Sequence, residues 1–141
     1  MKKMILLCVL AILSFGAVTA QANNTATKHQ YLLIFRFKAN FVPPSQSAVQ
    51  DNIKKWQAYM GGLGQSGALV SGYRPTGDGK TISGTAKTVK DSLYVANNEL
   101  VSSFIIIKAT DMNEAGEIAA KCPIFEFDGS VEIRPLMETA Q

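Results

Sequence analysis

The side chains of this chain that can do chemistry are few and lie far apart. There is one histidine, His29, and there are two cysteines, Cys8 and Cys122. A zinc site needs clustered His, Cys or carboxylate ligands. A Ser–His–Asp or Cys–His nucleophile needs its histidine base inside the core. His29 stands in or beside the polar stretch "QANNTATKHQ", so no metal site, cofactor or histidine-based nucleophile is expected. "GDGKT" (77–81) has the look of the end of a phosphate-binding loop. The spacing of that loop wants glycine at position 74, which is Arg74. Asp78-Gly79 therefore reads as a hairpin turn. Cys122 falls on an apolar helical position before Pro123. That suits a buried small hydrophobe, whereas a redox role needs exposure and a lowered pKa.

Two groups remain. Trp56 and Tyr59 lie three apart on an expected helix. They are either core or the aromatic wall of a small-molecule pocket. Arg36, Arg74, Glu132 and Arg134 stand in or beside expected strands. They are either solvated positions with an ion pair across the sheet, or a cleft for an anionic ligand.

The elements that position these groups read as β-α-β-β-β-α-β. "YLLIFRFK" (31–38) is a strand apolar on both faces at its start, which implies cover on both sides. After "NFVPPSQ", Ser47 and Gln50 have capping-box spacing. Val49, Ile53, Trp56, Met60 and Leu63 then recur at helical spacing. Gly61, Gly62 and Gly64 mark either a weak helix end or close packing on a sheet. "GALVSGY" is a second strand. "TISGTAKTV" is a third, or a short hairpin arm. "LVSSFIIIKAT" (100–110) is a fourth, again apolar on both faces. Asp111 and Glu114 cap a second helix that Pro123 ends, and "GSVEIRPL" closes the domain as an alternating strand. This is the split βαβ, ferredoxin-like α+β pattern with a small insertion. Two helices cover only one face of such a sheet. The second apolar face implies a homodimer, sheet on sheet.

Residues 1–22 carry Lys2 and Lys3, an apolar run and small residues at Ala17, Ala20 and Ala22, the pattern of a secretory signal peptide. Cleavage fits after Ala20 or after Ala22. The run is short for a membrane span, so no stable insertion is expected once the leader is cleaved, and a periplasmic or secreted location follows. Cleavage takes Lys+Arg from 14 to 12 against 11 Asp+Glu. A nearly neutral domain has no electrostatic footprint for nucleic acid. The expected organisation is leader 1–22, flexible tail 23–30, one domain 31–137 and a short tail 138–141. With Cys122 as its lone thiol, the domain has no internal disulfide, and core packing must hold it.

"YLLIFR", "WQAYMGGLGQSGALVSG", "VKDSLY" and "EAGEIAAKCP…GSVEIRP" together resemble the YCII-related family, also known by its DGPF motif. The resemblance spans nearly all of the chain after the leader. It implies a ferredoxin-like fold that dimerises into an α+β barrel. It also implies, for some members, a His–Asp pair in a cleft near the dimer interface. The family aspartate maps to Asp91 and the histidine to Trp56. An indole cannot shuttle a proton near neutral pH. Gly-Pro-Phe is replaced by Ser92-Leu93-Tyr94, so the loop loses glycine's freedom and proline's rigidity. The resemblance thus implies a small-ligand cleft near Asp91 without the dyad, lined by Trp56, Tyr59, Asp91 and Tyr94, with Arg74 or Arg134 on an anionic group. The alternatives are a structural or partner-binding module, in which Asp91 merely caps a turn, and an enzyme in which a buried Asp91 acts alone as general acid or base.

Overall fold

The computed structural model describes residues 26–137. The expected leader (1–22) and C-terminal tail (138–141) lie outside those residues, as does the first part of the expected N-terminal tail (23–30). The order is β1 (His29–Lys38), α1 (Gln46–Gln65), β2 (Leu69–Tyr73), β3 (Thr81–Ser83), β4 (Thr88–Lys90), β5 (Glu99–Ala109), α2 (Met112–Ala120), a 3-10 helix (Pro123–Phe127) and β6 (Ser130–Pro135). Among these residues no helix is long and apolar enough to cross a membrane.

Four strands form one antiparallel sheet in the order β2-β5-β1-β6. This is the ferredoxin-like α+β arrangement. β1 starts at His29, which pairs with Ala109, so the strand takes in His29 and Gln30, two residues expected in the tail. The register puts Tyr31 opposite Ile107 and Leu33 opposite Ile105. Those side chains, with Phe35, form the buried face under both helices. Leu63 of α1, Ala115 and Ala119 of α2, and Cys122 and Ile124 beyond it complete the core. The opposite face carries Leu32, Ile34, Phe104 and Ile106, all only half-buried.

Several local expectations change. Of the two readings of "TISGTAKTV", the hairpin arm is the one that forms, as a separate pair of β3 and β4. Its reversal falls at 84–87, where Gly84 takes φ 70°, a left-handed value glycine adopts freely. Asp78-Gly79 precedes β3 and is not the hairpin turn. The turn at Asn97-Asn98 is as expected: both residues have positive φ, and Ala96 and Glu99 exchange backbone hydrogen bonds of 3.2 and 2.8 Å. Two left-handed residues in succession make a type I′ reversal, which asparagine tolerates. Ser45, and not Ser47, caps α1 by accepting from the Ala48 amide at 3.1 Å. The Ser47 hydroxyl instead lies 3.0 Å from that of Ser45. At the second helix the expected pair forms: Asp111 accepts from the Glu114 amide, and the Glu114 carboxylate accepts from the Thr110 amide and hydroxyl.

Candidate functional site

α1 is where the sequence pattern and the packing diverge. Of the stripe Val49, Ile53, Trp56, Met60 and Leu63, only Leu63 is buried. The other buried residue of α1 is polar, Asn52, at 5% exposure. The helix is tied at this end through polar bonds. Asn52 Nδ2 donates to Pro123 O at 3.0 Å and to a Glu126 carboxylate oxygen at 3.1 Å, and Lys55 Nζ donates to the other Glu126 oxygen. Hydrogen bonds from Lys55 and then Asn52 hold the Glu126 carboxyl below the usual carboxylate range, so it stays an ionised acceptor. The 3-10 helix thus stands between this end of α1 and the sheet. Val49, Ile53, Trp56 and Met60 are left to face a cleft.

That cleft has a volume of about 550 Å³. The sheet supplies its floor from Phe37 of β1, Gly72 of β2 and Ser103 to Ile105 of β5, and Phe41 and Phe127 close one side. Gly72 is needed there: a Cβ in its place would lie 2.9 Å from Ile105 Cγ2 and 3.5 Å from Met60 Cε. Gly61, Gly62 and Gly64 show no such need, since a Cβ on any of them would meet nothing within 4 Å. Trp56 packs edge-on against Phe35, with centroids 5.1 Å apart and planes at 90°, and against Tyr59 at 5.8 Å. Arg74 is the one charged residue of the lining.

The six residues expected at one site are dispersed. Trp56 and Arg74 share the cleft. Tyr59 faces away between the helices, donating to Ile118 O at 3.1 Å, and burial pushes its phenol pKa up. Arg134 lies on the far sheet face with Arg36, both bonded to Glu132. Hydrogen bonds from Arg134 and then Arg36 hold the Glu132 carboxyl below its ordinary range. Tyr94 is 72% exposed. Asp91 is 80% exposed and pairs with Lys80 at 2.7 Å. It borders a separate hollow of about 430 Å³ at the base of the hairpin, which shares no lining residue with the cleft. Within one protomer, then, Asp91 and Trp56 do not line the same cleft. The hairpin carrying Asp91 projects from the sheet, while α1 folds back onto it. A lone general acid at Asp91 also lacks the burial it would need.

Asn52, Phe41 and Phe127 belong to the cleft and are not legible as such in the sequence. The available signal was Asn52 itself, a polar residue directly beside an apolar helical stripe. Among the described residues no three His, Cys, Asp or Glu side chains converge as metal ligands. Cys122 is buried, and its Sγ accepts from the Ile124 amide at 3.3 Å.

The family model of the YCII-related domain matches residues 29–140. Among solved structures, the chain is similar to the 5-chloro-2-hydroxyhydroquinone dehydrochlorinase of Burkholderia phenoliruptrix, determined in complex with 2,5-dihydroxybenzoquinone. The two are 18% identical, the match covers 78% of this chain and 95% of that one, and the TM-score is 0.48. No curated protein matches the chain.

Proposed function

The chain belongs to the YCII-related domain family, and on that premise we propose that it binds a small, largely apolar molecule in the cleft between α1 and the sheet. One observation carries the reading. Val49, Ile53, Trp56 and Met60 follow a core pattern, yet they line about 550 Å³ of open space. Apolar surface left in water costs roughly 25 cal/mol per Å², and a ligand of matching shape recovers it. Binding here involves neither a His–Asp dyad nor Asp91. Export of the mature domain to the periplasm or medium belongs to the same proposal, supported by the leader pattern of residues 1–22.

Trp56 is the chain's one tryptophan, so its emission reports on the cleft. Anilinonaphthalene sulfonate should accept energy from Trp56 on binding. Ile53→Arg should abolish that transfer, since Ile53 is 42% exposed and its replacement leaves the core intact. Transfer that survives Ile53→Arg would place the dye elsewhere and remove the reading.

A second reading concerns self-association. The half-buried face of Leu32, Ile34, Phe104 and Ile106, together with the exposed Val101, supports a homodimer with the sheets facing. Light scattering across a dilution series should give a dimer mass that falls with dilution. Monomer mass at every concentration would leave that face to a different protein partner.

A further inference from the structure

We propose that the ligand of the α1–sheet cleft is a flat aromatic acid that also carries a hydrogen-bond donor, a hydroxyl or amino group. This rests on reading the cleft as a ligand site and adds the chemical class.

The acid follows from Arg74. Of the three arginines, Arg36 and Arg134 are both engaged by Glu132. Among the described residues no carboxylate lies within ion-pair distance of Arg74. No acid lines the cleft either. A guanidinium at the edge of an apolar space, with no internal partner, is matched by a planar carboxylate that it can hold with two parallel bonds.

The donor follows from Asn52. Its two hydrogen-bond partners are a backbone carbonyl and an ionised carboxylate, and both can only accept. That fixes the amide orientation: Nδ2 faces Pro123 and Glu126, and Oδ1 is what Asn52 can offer the cleft. No fully buried side-chain polar atom lacks a partner among the described residues, and no bond there engages Oδ1, so Oδ1 keeps some exposure on a residue that lines the cleft. An acceptor held this way favours a ligand hydroxyl or amine and penalises an ether or a bare ring.

The flat ring follows from the walls. Phe37, Phe41 and Trp56 surround the space, and Gly72 keeps the strand surface beneath them low. Such walls suit stacked and edge contacts with a planar ring better than a flexible chain, which loses more rotamer freedom on binding.

Calorimetric titration of a hydroxynaphthoate, its methyl ether, its carboxamide and dodecanoate tests each element separately. The donor is varied on the ligand, because replacing Asn52 would orphan the Pro123 carbonyl. The hydroxynaphthoate should bind tightest. The methyl ether should bind roughly tenfold more weakly and the carboxamide roughly 10- to 100-fold more weakly. Arg74→Gln should cost the acid a similar factor and leave the carboxamide unchanged. Equal binding of acid and carboxamide, equal binding of hydroxyl and ether, or a preference for dodecanoate would overturn the assignment while leaving the cleft a ligand site. Heat from none of the four, together with dye transfer indifferent to Ile53→Arg, would remove the ligand site and this class with it.

Discussion

Around Trp56, side chains converge from α1, three strands and the 3-10 helix, and the helix is anchored by Asn52 and Lys55. Around Asp91 a short hairpin stands by itself. β3 and β4 pair only with each other, and Ile82, Val89 and Tyr94 are exposed. The cleft inherits rigidity from the core beneath it, and the arm has no core to borrow from. An isolated two-stranded hairpin is marginal in water, so a residue on it is positioned less firmly than one on α1. Asp91 and the cleft therefore stand apart within the protomer. Asp91 sits on the arm, while the cavity forms where an apolar stripe fails to reach the sheet.

The largest expected effect sharpens this contrast through stability. Phe35→Ala removes a fully buried ring that packs against Trp56 and should cost about 3–5 kcal/mol in urea denaturation. Ile82→Ala on the arm, where the side chain is 65% exposed, should change stability by less than about 0.5 kcal/mol. A comparable loss from both would mean the arm packs against something in solution, and the contrast would break.

A pH titration comes next. Burial pushes the Cys122 thiol from its ordinary 9.0 up to about 12, and burial acts on the Tyr59 phenol in the same direction. Between those two pH values the unfolded chain loses a proton that the native chain keeps. The native state then binds more protons, so stability is full below pH 9 and falls as pH rises toward 12, by an amount on the order of a few kcal/mol. Urea midpoints taken across that window should fall, and less steeply in Cys122→Ala. A thiol reagent at neutral pH should label Cys122 only in denaturant, because a buried thiol is inert. Rapid labelling of the native chain would place Cys122 outside the core.

The smallest effect concerns Asp91. Asp91→Asn breaks an exposed ion pair with Lys80, which is worth about 0–1 kcal/mol. It should leave dye binding at Trp56 unchanged. A many-fold loss of binding would erase the distinction between the two regions, and would bring the arm to a cleft, either its own or that of a second copy.

Much of the fold was legible in the sequence because periodicity reports burial directly. β1 and β5 read as apolar on both faces, and their register bears this out: one face is buried, and the other is half-buried and without cover. Asp111, Glu114 and Pro123 bounded α2 because caps and proline act on neighbouring backbone groups, a local effect. Asn97-Asn98 marked a reversal for the same reason. Ser45 was missed because two serines near the start compete for one cap, and sequence alone does not show which hydroxyl meets a free amide.

The candidate site was far less legible. An apolar stripe says that side chains avoid water, but not whether they meet protein or an unfilled space. Val49 and Ile53 have the spacing of core residues and line a cleft, because Asn52 and Lys55 tie α1 to the 3-10 helix some seventy residues along the chain. Arg74 and Arg134 are equivalent in composition, and only the sheet places one at the cleft and the other against Glu132. By itself the sequence determined the element order and the two-sided apolar strands, both of which follow from residue type and near-neighbour spacing. Only the tertiary structure decided where the cavity lies, which arginine it exposes and that Asp91 stands apart. Those outcomes depend on contacts between residues distant in sequence, and spacing carries no record of them.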